Sequence, residues 1–306
     1  MDAQQDTLVQ QLMKHVDDLD NRVTRHELEF CVQYLSYYGY LPDLSSGPPA
    51  VAASLADFQS FFGLPETGKL DPVTSRAMFT PRCGVPDIRP LRQQLGEGIP
   101  LPSPQEAKWR KTSLTYFVEA YVDGIPTSVQ DGILATAFQD WMNVTAIKIS
   151  RTTDVSSANL IISTGRGRRS QFDGPGNTLA WAYLPSGDDS QLLMRFDADE
   201  NWATQLSGSG REILMRNVAC HEFGHLLGLE HSRVNNALMA PYYASPIFQP
   251  QANDDIPRIQ QLYGPAVITP PPGPVLPPTA PGTLTIKLTG SITGIEIPGY
   301  IVTKKI

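Results

Sequence analysis

The sequence predicts an α+β fold in which a small all-α N-terminal region precedes a larger region of mixed strands and helices. In the first part of the chain, apolar residues recur at the spacing of a helix face. After Ser113, segments with the two-residue period of a strand alternate with segments of helical period. The N-terminal helices are predicted at residues 8–19, 27–38, 51–61 and 72–79.

The region after Ser113 is predicted to contain five strands and two long helices. The helices are expected at residues 128–141 and 212–228. The strands are expected at residues 114–118, around Ile147, and at 160–163, 179–183 and 192–196. Farther on, the proline-rich residues 267–282 predict an extended linker, and residues 283–306 predict a short strand-like or disordered tail.

Length, charge and cysteine count limit the classes of function. A chain of 306 residues predicts about two domains, and a net charge of −7 gives no basic surface for nucleic acid or anionic membranes. Three cysteines are too few for a disulfide framework. The odd count indicates a reactive or metal-bound thiol, for which Cys83 is the candidate. Cys31 and Cys220 are expected to be buried thiols in helices.

One segment has the spacing of a catalytic zinc site. His221 and His225 are four residues apart, so on a helix their imidazoles leave the same face and can bind one cation. Gly228 can adopt a positive φ and return the chain toward the metal, where His231 becomes the third ligand. A catalytic zinc keeps a fourth position for water, whose pKa falls to about 7. Glu222 is the candidate general base for that water.

A methionine-containing turn follows the third histidine at short range. Residues 237–241 read Ala-Leu-Met-Ala-Pro, and Met239 lies where the metzincin clan of zinc proteases has its Met-turn. A methionine after a loop usually fills core space. Together with three histidines at the required spacing, however, the pattern is specific to that clan.

Residues 81–87 read Pro-Arg-Cys-Gly-Val-Pro-Asp and resemble the cysteine switch of the matrix metalloproteinases, or matrixins. The resemblance implies a zymogen in which the Cys83 thiolate takes the fourth position on the zinc and displaces the water. It also implies that Arg82 and Asp87 pair to hold this loop. The chain is therefore expected to be a latent zinc-dependent endopeptidase that hydrolyses internal peptide bonds.

The resemblance to matrixins extends over most of the chain and implies its domain organisation. It predicts a metzincin catalytic domain at residues 108–266, with a twisted, mixed five-stranded sheet and three helices. A helical prodomain similar to peptidoglycan-binding modules is expected at residues 1–88. Residues 89–107, rich in proline and glycine, are expected to form an activation linker open to cleavage.

The same resemblance implies how substrate is held. An edge strand near Ala180 and Ala182 would pair with an extended peptide through its unpaired backbone groups. Pro241 and Tyr243 would wall the apolar pocket beside the zinc that sets side-chain preference.

The family also implies further metal sites. One structural calcium ion is expected, held by Asp173, Gly174, Gly176, Thr178, Asp197 and Glu200. The family's second, structural zinc is predicted to be absent, because its positions read Arg166, Arg168, Trp181 and Arg195. Arginine stays protonated and an indole offers only a donor, so none of these can ligate zinc. Whether arginines replace that metal, by pairing with Asp173 or Asp188, stays open.

The expected partners are protein or peptide substrates and an activating protease, with no nucleic acid, no membrane span and a monomeric state. The family implies an extracellular location. Residues 1–29, however, are polar and contain no apolar core for a signal peptide. A missing N-terminus, unconventional export and an intracellular location therefore stay open.

Two other classes of function stay open as well. The N-terminal module suggests a glycan-binding protein, although the cysteine switch directly after it favours a propeptide. The missing second zinc suggests a catalytically weak or inactive binding protein of matrixin type. An intact Glu222 with all three histidines argues against that second alternative.

Overall fold

The computed structural model describes residues 3–16, 23–88, 108–207, 212–243 and 247–266. Within these ranges, N-terminal helices are followed by a mixed sheet with flanking helices, which confirms the predicted α+β class. The predicted linker at 89–107, the proline-rich linker at 267–282 and the tail at 283–306 lie outside the described residues.

Four helices form the N-terminal part around a core of their own. They are α1 (Ala3–Val16), α2 (Arg25–Tyr37), α3 (Pro48–Phe61) and α4 (Pro72–Met78). A capping box begins α2, because the Thr24 hydroxyl accepts from the Glu27 amide while the Glu27 carboxylate accepts from the Thr24 amide. The Asp71 carboxylate caps α4 by accepting hydrogen bonds from the amides of Val73 and Thr74. Leu35 and Phe58 are fully buried in the helical core.

One six-stranded sheet spans both parts of the described chain. Its strands are β1 (Arg82–Cys83), β2 (Ser113–Val118), β3 (Lys148–Arg151), β4 (Leu160–Gly165), β5 (Thr178–Ala182) and β6 (Leu192–Asp197). Their order is β1-β5-β6-β4-β2-β3. The pair β5–β6 is antiparallel, and the other pairs are parallel. Two further strands, β7 (Trp202–Ala203) and β8 (Ile213–Leu214), pair with each other.

Three helices belong to the second part: α5 (Thr127–Met142), α6 (Met215–Leu226) and α7 (Asp255–Tyr263). Helix α6 packs closely on α5, because the rings of Phe138 and Phe223 stack with centroids 3.6 Å apart. The Trp141 indole also donates to the carbonyl of Cys220 at 2.8 Å. These contacts fix the position of α6, which carries two of the predicted metal ligands. In the described parts of the chain, no helix has the length and apolar content needed to cross a membrane.

The structure modifies several details of the predicted elements. Helix α1 begins at Ala3 rather than at residue 8, and α6 begins at Met215 because residues 213–214 pair as a strand instead. The prediction of an edge strand at 179–183 holds for the five strands of the second part. In the whole sheet, however, β1 occupies that edge. The two residues of β1 are too few for a periodic signal.

Candidate metal centre

Helix α6 presents two imidazoles on one face. Nε2 of His221 lies 3.2 Å from Nε2 of His225, as expected for side chains one turn apart. The helix lies very close to the turn that contains Met239. A Cβ atom at Gly224 would lie 2.2 Å from Sδ of Met239 and 2.9 Å from Cζ2 of Trp141. Glycine at position 224 therefore permits this close approach.

A glycine also brings the third histidine to the site. Gly228 has a φ of 101°, a conformation that other residues rarely adopt, and its amide donates to the carbonyl of His225 at 2.8 Å. The chain leaves the helix axis at this point and returns. The ring of His231 then lies 4.7 Å from that of His225 and 5.4 Å from that of His221, measured between centroids.

A thiol from the N-terminal part joins the three imidazoles. Sγ of Cys83 lies 3.4 Å from Nε2 of His225. The ligand atoms of Cys83, His221, His225 and His231 lie within 4.8 Å of one another, and all four residues are buried. A tetrahedral zinc ion with its usual bond lengths places neighbouring ligand atoms roughly 3.3–3.8 Å apart. Two of the distances between these ligand atoms, 3.2 Å between Nε2 of His221 and of His225 and 3.4 Å between Cys83 Sγ and His225 Nε2, are close to that range and are compatible with zinc.

The hydrogen bonds of the imidazoles leave the correct nitrogen for a metal. Each Nδ1 lies 2.7 Å from an oxygen atom. The oxygen is the Leu238 carbonyl for His221, the Leu229 carbonyl for His225 and Oδ1 of Asp87 for His231. Carbonyl and carboxylate oxygens only accept, so each Nδ1 donates and each Nε2 keeps a lone pair. Nε2 of His231 is buried with no hydrogen-bond partner among the described residues. Three such nitrogens and a thiol fit a zinc ion.

Burial favours the neutral forms of the titratable groups at the centre. It lowers the pKa of His221 to about 3, with a further contribution from His231, and it also lowers the pKa of His231. Both imidazoles are therefore neutral at pH 7, as a metal ligand must be. Burial also raises the pKa of the Cys83 thiol well above its usual value, and the carboxylate of Glu222 adds to this effect.

Glu222 follows the first ligand on α6 and lines the same cleft as Cys83 and His221. It is fully buried, and neither carboxylate oxygen has a hydrogen-bond partner of normal geometry among the described residues. Burial raises the pKa of Glu222 to about 8, and the Cys83 side chain acts in the opposite direction. A carboxyl group with these properties can exchange a proton near neutral pH.

Residues 81–84 run between β5 and the segment at 241–243. The backbone hydrogen bonds are Arg82 N to Asn177 O (2.6 Å), Cys83 N to Pro241 O (2.9 Å), Gly84 N to Ala180 O (2.8 Å) and Tyr243 N to Pro81 O (2.9 Å). Three of the four residues predicted to bind substrate, Ala180, Pro241 and Tyr243, therefore contact this segment. The fourth, Ala182, pairs with Met194 of β6.

The Asp87 carboxylate accepts hydrogen bonds from three side chains in a fully buried position. Arg82 donates from Nη2 to Oδ1 at 2.6 Å and from Nη1 to Oδ2 at 3.1 Å. The Tyr40 hydroxyl donates to Oδ2 at 2.9 Å, and His231 donates to Oδ1. Burial raises the pKa of Asp87, but the Arg82 charge and the His231 hydrogen bond outweigh it and bring the pKa to about 2. The Arg82 guanidinium also lies over the Tyr38 ring, 3.6 Å from its centroid.

Comparison with known families matches two regions of the chain. Residues 108–264 match the matrixin family model, and residues 27–78 match a peptidoglycan binding domain model. The chain belongs to the matrixin family. The matrixin match contains the three histidines and Glu222, whereas Cys83 and Asp87 lie between the two matched regions.

Curated relatives resemble this chain over more than two thirds of its length. It is 37% identical to interstitial collagenase of Bos taurus over 251 residues, which cover 80% of the chain and 50% of the relative. It is 39% identical to interstitial collagenase of Equus caballus over 222 residues, 71% of the chain and 44% of the relative. It is 34% identical to stromelysin-1 of Mus musculus over 255 residues, 79% of the chain and 50% of the relative. The chain thus spans about half the length of the curated relatives that it matches.

The turn that contains Met239 in this matrixin depends on an acidic residue that the sequence analysis did not identify. Asp255, at the start of α7, is fully buried and accepts hydrogen bonds from three backbone amides. The donors are Leu238 N (2.7 Å), Met239 N (3.0 Å) and Gln251 N (2.8 Å). The only signal in the sequence is an acidic pair, Asp254-Asp255, before the last helix.

The predicted calcium residues surround one loop of the matrixin domain. Gly174 and Gly176 have φ values of 95° and 94°, and the Gly176 amide donates to the Glu200 carboxylate at 2.6 Å. Burial raises the pKa of Glu200 to about 7, and the charges of Asp197 and Asp173 add to it. Oδ2 of Asp197 is buried with no partner among the described residues. Among the described residues, the carboxylates of Asp173, Asp197 and Glu200 do not come as close together as the ligand atoms of Cys83 and the three histidines.

At the positions where the sequence predicts that a second zinc is absent, Arg166 forms two ion pairs. Arg166 pairs with Asp123 at 2.9 Å and also with Asp199, rather than with Asp173 or Asp188. Arg195 lies over the ring of Trp181, 5.7 Å from its centroid. Arg168 lies in a short 3-10 turn at 168–170. These side chains offer no lone pair to zinc, so they do not fit that metal.

Proposed function

We propose that this chain is the zymogen of a zinc-dependent endopeptidase that hydrolyses internal peptide bonds of proteins. The observation that supports the proposal most strongly is the convergence of Cys83 with His221, His225 and His231 beside a buried Glu222. Membership of the matrixin family supports the same conclusion. In this proposal the three histidines hold one catalytic zinc ion, and Cys83 holds its fourth position in the latent form.

Latency would follow from two kinds of exclusion. The Cys83 thiolate takes the position that a water molecule needs, so the nucleophile is absent. At the same time, the backbone of residues 81–84 takes the hydrogen-bonding groups of Ala180 and Pro241, so a peptide cannot pair there. Cleavage within residues 89–107 would release the N-terminal part and remove both obstacles together.

Substrate would then bind where residues 81–84 had been. The outer edge of β5, near Ala180 and Ala182, offers backbone groups to an extended peptide. Pro241 and Tyr243 would form the opposite wall and the entrance of the specificity pocket. The Tyr243 hydroxyl accepts a hydrogen bond from the Leu214 amide at 2.7 Å, which holds this wall against the start of α6.

Glu222 is the proposed catalytic residue. When bound, zinc supplies Lewis acidity, which polarises the substrate carbonyl and makes a water molecule easier to deprotonate at neutral pH. Glu222 accepts the proton from that water as the water attacks the carbonyl carbon. The same carboxyl group then donates the proton to the leaving amine, which completes the hydrolysis. Met239, below the histidines, supports the floor of the site.

We also propose one structural calcium ion and one zinc ion for the catalytic domain at residues 108–266. The calcium oxygens would come from Asp173, Asp197 and Glu200, with backbone carbonyls of Gly174, Gly176 and Thr178. The unpartnered Oδ2 of Asp197 and the raised pKa of Glu200 support a cation there. The arginines at the second zinc position support the absence of that metal.

The proposed partners are protein substrates and a protease that cleaves the linker after the prodomain at residues 1–88. An extracellular location is proposed because the chain belongs to the matrixin family. The sequence-based expectations of no nucleic-acid partner and a monomeric state remain predictions.

The decisive experiment measures peptide hydrolysis by the purified chain before and after treatment with a mercurial or with an activating protease. Activity should arise only after treatment and should require zinc. Glu222→Gln should then lower kcat by about 10²–10⁴-fold, the usual contribution of a general base. If wild type and Glu222→Gln are equally inactive after treatment, each with one zinc ion bound, the proposal fails and a binding function replaces it.

A second candidate function is glycan binding by the N-terminal part, because residues 27–78 match a peptidoglycan binding domain. Retention of the full chain on insoluble peptidoglycan would support it. The location of Cys83 and Asp87 directly after this part favours a propeptide instead.

A further inference from the structure

The orienting partners of the three metal-site histidines come from different parts of the chain. His221 and His225 donate from Nδ1 to backbone carbonyls of Leu238 and Leu229, which belong to the matrixin domain itself. His231 instead donates to a side chain, the carboxylate of Asp87, from before residues 89–107. Cleavage within those residues would therefore leave two of the three orienting hydrogen bonds and remove the third.

Asp87 is held firmly in this position. Its side chain is 0% exposed, and it accepts hydrogen bonds from Arg82 in β1 and from Tyr40, which follows α2. Oδ1 is 2.6 Å from Arg82 Nη2 and 2.7 Å from His231 Nδ1, so one oxygen joins the two groups. A carboxylate with three side-chain donors cannot rotate freely, and it fixes both the plane and the tautomer of the His231 ring.

We propose that Asp87 is a positioning residue for the metal, in addition to its ion pair with Arg82. It completes a carboxylate–His231–metal arrangement in which Asp87 orients the ring and makes Nε2 a stronger ligand. The N-terminal part thus supplies one direct ligand, Cys83, and one outer partner, Asp87. This inference rests on the proposed function, because it assumes that the metal is the catalytic zinc. Its consequence is that the N-terminal part strengthens zinc retention in two ways. Removal of this part should therefore weaken zinc binding more than removal of the Cys83 thiolate alone.

The simpler alternative is that Asp87 acts only as a latch for the loop through Arg82. Three variants separate these roles. Tyr40→Phe removes one donor from Oδ2 and leaves the contact with His231. Arg82→Gln removes the ion pair, so it loosens the loop while the carboxylate that faces His231 remains. Asp87→Asn alone replaces the charged acceptor of His231 with a neutral amide.

The experiment measures the rate at which the full chain, loaded with one equivalent of zinc, loses the metal to an excess of a colorimetric chelator. Wild type, Asp87→Asn, Tyr40→Phe, Arg82→Gln and Cys83→Ala are compared. The cobalt-substituted forms report separately whether Cys83 is still a ligand, through the thiolate-to-cobalt absorption band. We expect zinc loss from Asp87→Asn to be about tenfold faster than from wild type, the lower range for loss of an outer partner. Tyr40→Phe should behave as wild type, and Arg82→Gln should lose zinc more slowly than Asp87→Asn.

The absorption band decides how Asp87→Asn is judged. If the band persists, faster zinc loss than wild type supports the inference, and an unchanged rate overturns it. If the band disappears, zinc loss faster than that of Cys83→Ala supports the inference, whereas an equal or slower rate shows that Asp87 is only a latch. A full chain that binds no zinc would overturn the proposed metal centre as well. If Asp87→Asn loses zinc faster as expected but the activated wild type hydrolyses no peptide, the proposed function fails while the role of Asp87 stands.

Discussion

Sγ of Cys83 and Nε2 of His225 lie 3.4 Å apart, although 142 positions separate the two residues in the chain. The contact joins the N-terminal part to the matrixin domain at the centre of the proposed metal site. Pairing of β1 with β5 holds the backbone on one side, and the Arg82–Asp87 ion pair holds the loop on the other. Backbone and side-chain hydrogen bonds therefore hold the Cys83 thiol at the position where we propose that it inhibits the enzyme.

Replacement of this thiol should weaken latency. We expect Cys83→Ala to hydrolyse a peptide substrate without cleavage of the chain, because water can then take the position that the thiolate would occupy. Its rate should be at least about tenfold above that of the uncleaved wild type, a difference of about 1.4 kcal/mol. The measurement is the initial rate on a fluorogenic peptide, with intact chain verified by mass spectrometry. Cys31→Ala is the matched control, because Cys31 is also buried but lies in the helical core. Equal latency in both variants would contradict a role for the thiol.

Gly224 should be intolerant of even the smallest side chain. A Cβ atom there would overlap with Met239 and Trp141, and the tightly packed interior leaves little room for either to move, so we expect Gly224→Ala to cost about 1–3 kcal/mol of unfolding free energy. Gly132, in the middle of α5, has no atom within 4 Å of the same position. Gly132→Ala should therefore stabilise the protein slightly, by up to about 1 kcal/mol. Denaturant unfolding of both variants tests this contrast, and equal midpoints would refute it.

Asp255 should stabilise the turn beneath the histidines. Asp255→Ala would leave buried amides at Leu238 and Met239 without an acceptor, so we expect a loss of about 2–4 kcal/mol. Its neighbour Asp254 makes a more accessible ion pair with Arg258 at 3.0 Å, and Asp254→Ala should cost no more than about 1 kcal/mol. Thermal unfolding of the two variants gives the comparison. A larger loss for Asp254→Ala would disprove this account of the turn.

Removal of zinc should destabilise the latent chain. Because the four proposed ligands come from both parts of the protein, a bound ion should stabilise their association as well as the fold. With free zinc at 100 times its Kd, the expected stabilisation is about 2.7 kcal/mol. Calorimetry with and without a chelator measures the effect, and added zinc should restore the unfolding temperature. His231→Ala should show a much smaller response to the chelator than wild type.

Much of this organisation is predictable from the sequence, because it depends on local spacing. The interval between His221 and His225 requires a helix, and a glycine at position 228 permits the return of the chain to His231. Helix α5 was predicted to within a residue at each end, since its apolar period is regular. These features need no knowledge of distant contacts.

Features that depend on distant contacts were not predictable in the same way. Strand β1 has two residues and forms only because β5 and the 241–243 segment provide partners. The hydrogen bond from His231 to Asp87 joins residues 144 positions apart. Asp255 has no motif that marks its role in the sequence, because its backbone partners at residues 238, 239 and 251 meet it only in the folded chain. The pairing of Arg166 with Asp123 and Asp199 likewise depends on loops that meet in space.

The parallel pairing of β1 with β5 has a consequence beyond catalysis. An exposed edge strand with unpaired amides and carbonyls tends to pair with strands of other chains. While the N-terminal part is attached, β1 pairs with the edge of β5 and so protects the newly synthesised protein from aggregation. Once that part has been removed, the edge of β5 that we propose to bind substrate is also free to pair with other chains, so early cleavage should favour self-association.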